Sequence, residues 1–313
     1  MVRDEPLVAN VHSHRLARGY ANPRAVGARG AQLTKRMSAE EAFRATVLEC
    51  LAQIGANAPV ARARNPRGVH QLRVGLRRLQ TAFKAFGEYA DMPVLKTLDK
   101  RGRSLANALG PTRELDVLAE ELLPQIDSKF TEHESFVALQ LALRDARSVA
   151  WDDALAEVDS AQFVFFLNDV AAVAEMLPQQ RTRIGKIAGR SLDKFCAHAK
   201  KHAKRLRPEY DARVHKLRIA LKKLRYASEF FAPLYSKRKT EGYIKQLKLL
   251  LDDLGAANDA HGCSQTLDRL TDGAQLCFAK GVITGWYALR EKRLRRRAMK
   301  NWRSFKRRRP FWV

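Results

Sequence analysis

The chain has 313 residues, 46% of them hydrophobic, enough for one large buried core or two of ordinary domain size. Its 58 Lys and Arg outnumber 33 Asp and Glu, and the net charge of +25 is extreme for an ordinary enzyme and points to a polyanionic partner. The longest apolar stretch, Phe163 to Leu167, is too short to span a bilayer and the N-terminus lacks a signal-peptide core, so no membrane partner and a cytoplasmic address are expected.

Residues 1–36 mix Gly, Pro, Asn and Arg without a sustained period and read as a basic disordered arm. Ser38-Ala39-Glu40-Glu41 is a capping box, which starts a helix through Val47, Leu48, Leu51 and Ile54. A connection from Ala58 to Arg67, holding Pro59 and Pro66, leads to a basic helix ending near Tyr89. Pro93 opens a third helix through Leu95, Leu98 and Leu105, broken or bent at Gly110-Pro111, and Pro124 ends its continuation. A fourth helix over Glu134 to Ala156 completes a first four-helix half, 37–158, and the apolar block Phe163 to Leu177 reads as a linker helix within 159–178. The second half, 179–313, opens with a helix from Thr182 to about Leu206; Pro208 then starts a basic helix that stops before Pro233. A third helix carries Ile244, Leu247, Leu250, Leu251 and Leu254, and a final basic helix beyond Gly273 carries Leu276, Phe278, Trp286, Leu289 and Leu294. Strand signals are too sparse for a sheet. The expected fold is all-α, two antiparallel four-helix bundles related by pseudo-symmetry.

That symmetry is written in the residues. Val69-His70-Gln71-Leu72-Arg73-Val74-Gly75-Leu76-Arg77-Arg78-Leu79 returns 145 residues later as Val214-His215-Lys216-Leu217-Arg218-Ile219-Ala220-Leu221-Lys222-Lys223-Leu224. Leu109-Gly110-Pro111-Thr112-Arg113-Glu114 echoes at the same offset as Leu254-Gly255-Ala256-Ala257-Asn258-Asp259, which marks an internal duplication. On a helical wheel with His70 at 0°, Leu72, Leu76, Leu79, Phe83 and Phe86 fall between about 160° and 240°, while Arg73, Arg77 and Lys84 fall between about 300° and 340°. One stripe packs and the other presents cations. The second copy sets Leu217, Leu221, Leu224 and Phe231 opposite His215, Arg218, Lys222 and Arg225, with Glu229 where Lys84 stood.

Charge is segregated as well. Residues 114–175 hold fourteen acidic and three basic residues, so the remainder is strongly cationic, as one basic cleft beside a separate acidic region would require. Guanidinium and ammonium groups repeated every three or four residues suit phosphate oxygens, and a linear inorganic polyphosphate is their natural complement. Lys100, Arg101 and Arg103, against Lys245 and Lys248, supply an adjoining wall if the third helices converge; Lys216 and the helix-end position of Arg113 complete the candidates outside the stripes. His70 and His215 suit a phosphate hydrogen bond and a structural role equally. His198 and His202 lie one turn apart, but Lys200, Lys201 and Lys204 crowd them, and no metal or other cofactor is assigned. Cys50, Cys196, Cys263 and Cys277 stand singly and read as buried free thiols.

These repeated segments resemble the CHAD family, the conserved histidine α-helical domain, whose halves each carry a V-H-x-L-R-V-x-x-R-R-L-like helix. A later L-G-x-x-R-D-x-D-V-like element appears as Leu109 to Val117, and the likeness spans roughly 38–309. The resemblance implies two four-helix bundles around a basic cleft or pore that binds polyphosphate. It places binding on His70, Arg73, Arg77, Arg78, His215, Arg218, Lys222, Lys223 and Arg225, and it implies association with polyphosphate granules. Glu114 stands in the family's aspartate place and Gln80 opposite Arg225, which predicts unequal grip by the halves. The E-x-E-x-K signature of the triphosphate tunnel domain fused to many relatives has its nearest match at Glu132-His133-Glu134, where Phe136 takes the lysine position; a stand-alone binding module is therefore expected.

Nucleic acid also rewards dispersed cations, but the stripes lack interleaved aromatics and no recognition motif is visible. The twelve Lys or Arg from Arg290 to Arg309 come with Trp302 and Phe305, and Phe311-Trp312 follows; these aromatics are expected to pack on the core while the cations extend the anion surface. A phosphate-chain hydrolase or transferase would need a metal or general base. Asp116, Glu120 and Glu121 read instead as exposed helix charge, no phosphate loop or nucleophile elbow is present, and no catalytic residue is assigned.

Overall fold

A computed structural model describes residues 23–87, 93–126, 128–176, 182–204, 212–270 and 274–313. Within them the regular elements are helical: α1 Ala39–Arg62, α2 Pro66–Ala85, α3 Pro93–Ala108, α4 Gly110–Val117, α5 Glu134–Asp159, α6 Ala161–Glu175, α7 Ile184–Ala203, α8 Ala212–Phe231, α9 Lys237–Leu270 and α10 Cys277–Lys306. No described helix is long and apolar enough to cross a membrane.

The start signals act as read. Ser38 Oγ accepts from the Glu41 N–H (3.3 Å) and the Glu41 carboxylate accepts from the Ser38 N–H (2.8 Å), satisfying two otherwise orphaned donors. Pro66 opens α2 behind Asn65, whose side chain accepts from the Arg67 N–H at 3.0 Å. The stop expected at Ala58 does not occur. α1 continues through Pro59 to Arg62, because Ala58, Val60 and Ala61 are buried where α1 meets Gly68 of α2. A Cβ on Gly68 would stand 2.5 Å from the Ala61 backbone nitrogen, so this helix crossing exists only with glycine, and its packing outweighs the backbone bond that proline forfeits.

The third helices differ as their sequences differ. Gly110-Pro111 separates α3 from α4 at Leu109, and a π-helical turn over Leu118–Leu122 follows before Pro124 closes the segment. With Ala256 in place of the proline, α9 runs unbroken for 34 residues.

The apolar stripes are the core. Leu72, Leu76, Leu79, Phe83 and Phe86 of α2 are at most 5% exposed, and Leu217, Leu221, Leu224 and Phe231 of α8 at most 1%. Phe86 meets Phe231, its counterpart 145 residues on, with ring centroids 5.5 Å apart. Where α1 and α7 begin, the Ala39 N–H donates to the Thr182 carbonyl (2.9 Å) and the Ile184 N–H to the Met37 carbonyl (3.1 Å). Positions 37 and 39 thus exchange bonds with 182 and 184, the reciprocal contact that a local two-fold axis produces. Both apolar clusters take side chains from both halves: one joins α1–α3 to α7–α9, the other joins Leu118, Phe136 and Leu139 to Leu267, Ile283 and Tyr287. α6 buries Phe163, Phe166, Val170 and Val173, while Phe165 is 60% exposed.

The expected free arm is corrected over its described part. The Val26 N–H donates to Asn57 Oδ1 (3.0 Å), Asn57 Nδ2 donates to the Val26 carbonyl (2.9 Å), and Ala31 and Leu33 are buried. This strap has no helical period because its backbone bonds go to side chains of α1 and α2, which periodicity cannot register. The first 22 residues of the arm and the turn holding Pro208 lie outside the described residues. Cys50, Cys196 and Cys263 are buried free thiols; Cys277, at the first turn of α10, is exposed, which corrects the fourth.

Candidate anion-binding cavity

α8 places Arg218, Lys222 and Arg225 four and three residues apart, on one face. That face lines a cavity of about 640 Å³ whose other walls are His70 of α2, Arg113 of α4, Lys248 of α9, and Arg290, Arg293 and Arg297 of α10. Both halves of the chain contribute. Eight lining cations face three lining carboxylates, Glu121, Asp252 and Asp259.

Two of those carboxylates already have roles near the wall. Arg113 donates to Glu121 at 2.7 Å, and Asp259 acts on Lys222, opposing the repulsion of its cationic neighbours. Arg297 is held at 2.5 Å by Asp253, behind the wall, and Arg290 donates to Gln125 at 2.8 Å. Burial first, then Arg218 and Arg77, bring the Lys222 ammonium down to about 7. Burial first, then Arg113 and Lys222, bring the His70 imidazole down to about 4, so at neutral pH it is an uncharged ring with one donor and one acceptor. The site stores repulsion that an entering anion relieves.

The repeated glycines face equivalent arginines. The Arg73 guanidinium lies over Gly110 and that of Arg218 over Gly255; a Cβ would stand 3.2 Å from Arg73 Nη1 in one copy and 3.8 Å from Arg218 Nη2 in the other. The uses then part. Arg73 donates to the Ala106 carbonyl at the break between α3 and α4, whereas Arg218 lines the cavity.

Of the expected residues, His70, Arg113, Arg218, Lys222, Arg225 and Lys248 come together. Arg77 stands behind the wall, close enough to act on Arg73 and Lys222. Arg78 is 3% exposed, donating to Glu229 (3.0 Å) and to the Arg29 carbonyl (2.9 Å) with its guanidinium over the Phe230 ring. Lys84, Arg103 and Lys223 gather around Asp99 in a different cluster. Arg101 reaches Asp169 at 2.5 Å, and Lys100, Lys216 and Lys245 are exposed outside the cavity. His215 Nδ1 lies 2.9 Å from Asn258 Oδ1, outside the cavity, while its counterpart His70 stands beside Arg113 within it.

Asp116 corrects the reading of exposed helix charge: it is fully buried and accepts from Arg147 (2.7 Å) and from the Trp151 indole (3.3 Å). The sequence offers Arg290, Arg293 and Arg297 only as part of a general cationic extension; their spacing of three and four is the signal that they share a face. The late aromatics pack as expected, with Trp302, Phe305 and Phe311 buried and Tyr243 set against Phe305, Phe311 and Trp312. Among the described residues no three His, Cys, Asp or Glu are grouped as a metal would need.

An all-helical chain with a twice-used basic helix and a cationic cavity between its halves defines a narrow class. The CHAD domain description matches residues 45–268, and the chain belongs to that family. The crystal structure of the CHAD domain from the plant Ricinus communis superposes with a TM-score of 0.76 at 26% identity, covering 87% of this chain and 92% of that one. PptA from Streptomyces chartreusis gives 0.68 at 14% identity, covering 87% and 100%, a likeness of fold. No curated protein matches this chain.

Proposed function

We propose that the protein binds inorganic polyphosphate in this cavity and acts as a binding module rather than as an enzyme. The observation that carries the reading is the convergence of eight cations from both halves on one hollow with only three carboxylates. Their helices are fixed by the apolar stripes, so the site is formed in advance, and its cations replace the counterions of a phosphate chain. Among the described wall residues the aromatic rings are His70 and Tyr287, the latter with its hydroxyl committed to the Leu122 carbonyl at 2.7 Å, too few to stack successive bases, which favours a chain without bases over a single-stranded nucleic acid. A cytoplasmic place at polyphosphate granules follows from the family likeness and from this ligand.

The test is a titration of long-chain polyphosphate, short oligophosphates, single-stranded DNA and duplex DNA at matched phosphate and salt. Preference for long polyphosphate is expected, with an affinity loss of tenfold or more in Arg218→Glu combined with Arg293→Glu at unchanged helicity. Equal or tighter binding of DNA would replace the ligand, and release of orthophosphate during incubation would replace binding by catalysis.

A further inference from the structure

α10 carries a second row of cations that the cavity does not use. On a helical wheel with Lys292 at 0°, the wall residues Arg290, Arg293 and Arg297 fall between about 100° and 160°, and the buried Tyr287, Ala298, Trp302 and Phe305 between about 220° and 280°. The remaining arc, from 0° to about 80°, holds Lys292, Arg296, Lys300 and Arg303, continued by Arg307 at the helix cap. All five are exposed, and among the described residues none of them is in an ion pair. At 1.5 Å per residue the row is about 22 Å long. Between Lys292 and Arg307 every exposed residue is Lys, Arg or Ser.

The C-terminal end of the row opens into a hollow of about 510 Å³ between α9 and α10. Gln246, Lys300, Arg303, Ser304, Arg307 and Arg308 line it and, among the described residues, no carboxylate does. Its edge is seated on α9, where Arg308 lies over Gly242; a Cβ there would stand 2.8 Å from Arg308 Nη2. The row belongs to the second repeat alone. In the register that aligns the buried faces of α5 and α10, the positions 144 residues earlier are Ser148, Asp152, Ala156, Asp159 and Phe163, none of them a cation.

We infer that this outer row docks on double-helical DNA, as a surface distinct from the cavity. Its length matches the sugar-phosphate edge of about six base pairs at 3.4 Å each, and its cations release the counterions held there. A flexible phosphate chain loses conformational freedom when laid along a straight open row, whereas a duplex is stiff and straight beforehand. Gln246 and Ser304 add neutral hydrogen bonds, which position a duplex through its phosphate and sugar oxygens. Trp302 and Phe305 are buried in the core, so the row has no platform for the bases of a single strand. No exposed apolar side chain interrupts it, as insertion into a lipid surface would require. Contacts of this kind carry no base sequence, so binding is general. The inference does not depend on what the cavity binds.

The test is fluorescence anisotropy of the full chain with a labelled duplex of about 20 base pairs over a range of salt. Lys300→Ala, Arg303→Ala and Arg307→Ala together should weaken duplex binding tenfold or more and lower the slope of log K against log salt by about 2.7, at unchanged helicity. The same variant should keep its affinity for long-chain polyphosphate within twofold. Arg218→Ala with Lys222→Ala, inside the cavity, should leave duplex binding within threefold, whatever it does to polyphosphate. Lys96→Ala with Lys100→Ala and Lys186→Ala removes three exposed cations elsewhere and controls for net charge; duplex binding should again stay within threefold. An equal loss in that control, a loss of duplex and polyphosphate in step in the row variant, or a wild-type preference for single strands over duplex overturns the proposal. So does a wild-type protein that leaves the duplex unbound at about 50 mM salt.

Discussion

Lys222 joins sequence to chemistry most directly at the scale of a residue. It is a repeat position, it lines the cavity, and burial with its cationic neighbours holds it at about 7 in the free protein. A phosphate chain favours the charged form, so the bound ammonium titrates higher than the free one. Binding then takes up a proton above pH 7, and affinity is level below about pH 7 and falls as pH rises beyond it. Calorimetry at pH 8 in buffers of different ionisation enthalpy should detect that uptake, and Lys222→Arg should flatten the pH dependence; a wild-type affinity equal at pH 6 and pH 9 refutes it. Arg78 makes the opposite prediction. Arg78→Met leaves Glu229 with only Arg225, 3.7 Å away, and should cost about 3 kcal/mol by denaturant titration while the folded protein keeps its polyphosphate affinity within twofold. A stable Arg78→Met protein that no longer binds would return Arg78 to the site. The helical wheel set His70, Arg73, Arg77 and Lys84 on one stripe, yet they meet different fates. From His70 to Lys84 the stripe is about 21 Å long at 1.5 Å per residue, so its ends face different neighbours.

At the scale of an element, the capping box, Pro66 and the Gly110-Pro111 break were legible because each acts within a few residues of itself. Pro59 was misleading for the complementary reason. Its local penalty is real, but the α1 residues around it are buried beneath Gly68, which belongs to the next helix and not to the local signal. Gly68→Ala should therefore cost about 3 kcal/mol, seen as a lower denaturation midpoint with an unchanged slope, since backbone at 2.5 and 2.7 Å cannot swing aside as a flexible side chain could. Gly55, with nothing within 4 Å of its notional Cβ, is the control, and Gly55→Ala should be neutral or mildly stabilising. Equal effects at the two glycines would show that the close approach of α1 and α2 is not what decides the element.

Across the whole molecule, charge lies unequally on corresponding helices. The fourth helices α5 and α10 bury matching positions 144 residues apart, Leu139 and Ile283, Leu143 and Tyr287, Ala154 and Ala298, and the Ala279 N–H donates to Ser135 Oγ at 3.1 Å. In that register the cavity cations Arg290, Arg293 and Arg297 correspond to Ala146, Val149 and Asp153. Meanwhile the acids of α5 and α6 engage arginines of the first repeat, as in Arg62 with Asp159, Arg101 with Asp169 and Arg44 with Glu175. The second repeat thus supplies seven of the eight lining cations, and the first supplies Arg113. Removing wall cations should weaken the dependence of affinity on salt: Arg290→Ala with Arg293→Ala should reduce the slope of log K against log salt by about 1.5, while Lys100→Ala with Lys245→Ala leaves it unchanged. An unchanged slope in the first variant would remove α10 from the grip. The amino-acid sequence by itself determined the helices, the repeated basic segments, the apolar faces and the excess of cations, because periodicity, caps and composition are properties of the chain read in order. Only the tertiary structure decided which cations share a hollow and which one is buried against Glu229, because each outcome depends on groups more than a hundred residues apart meeting in space.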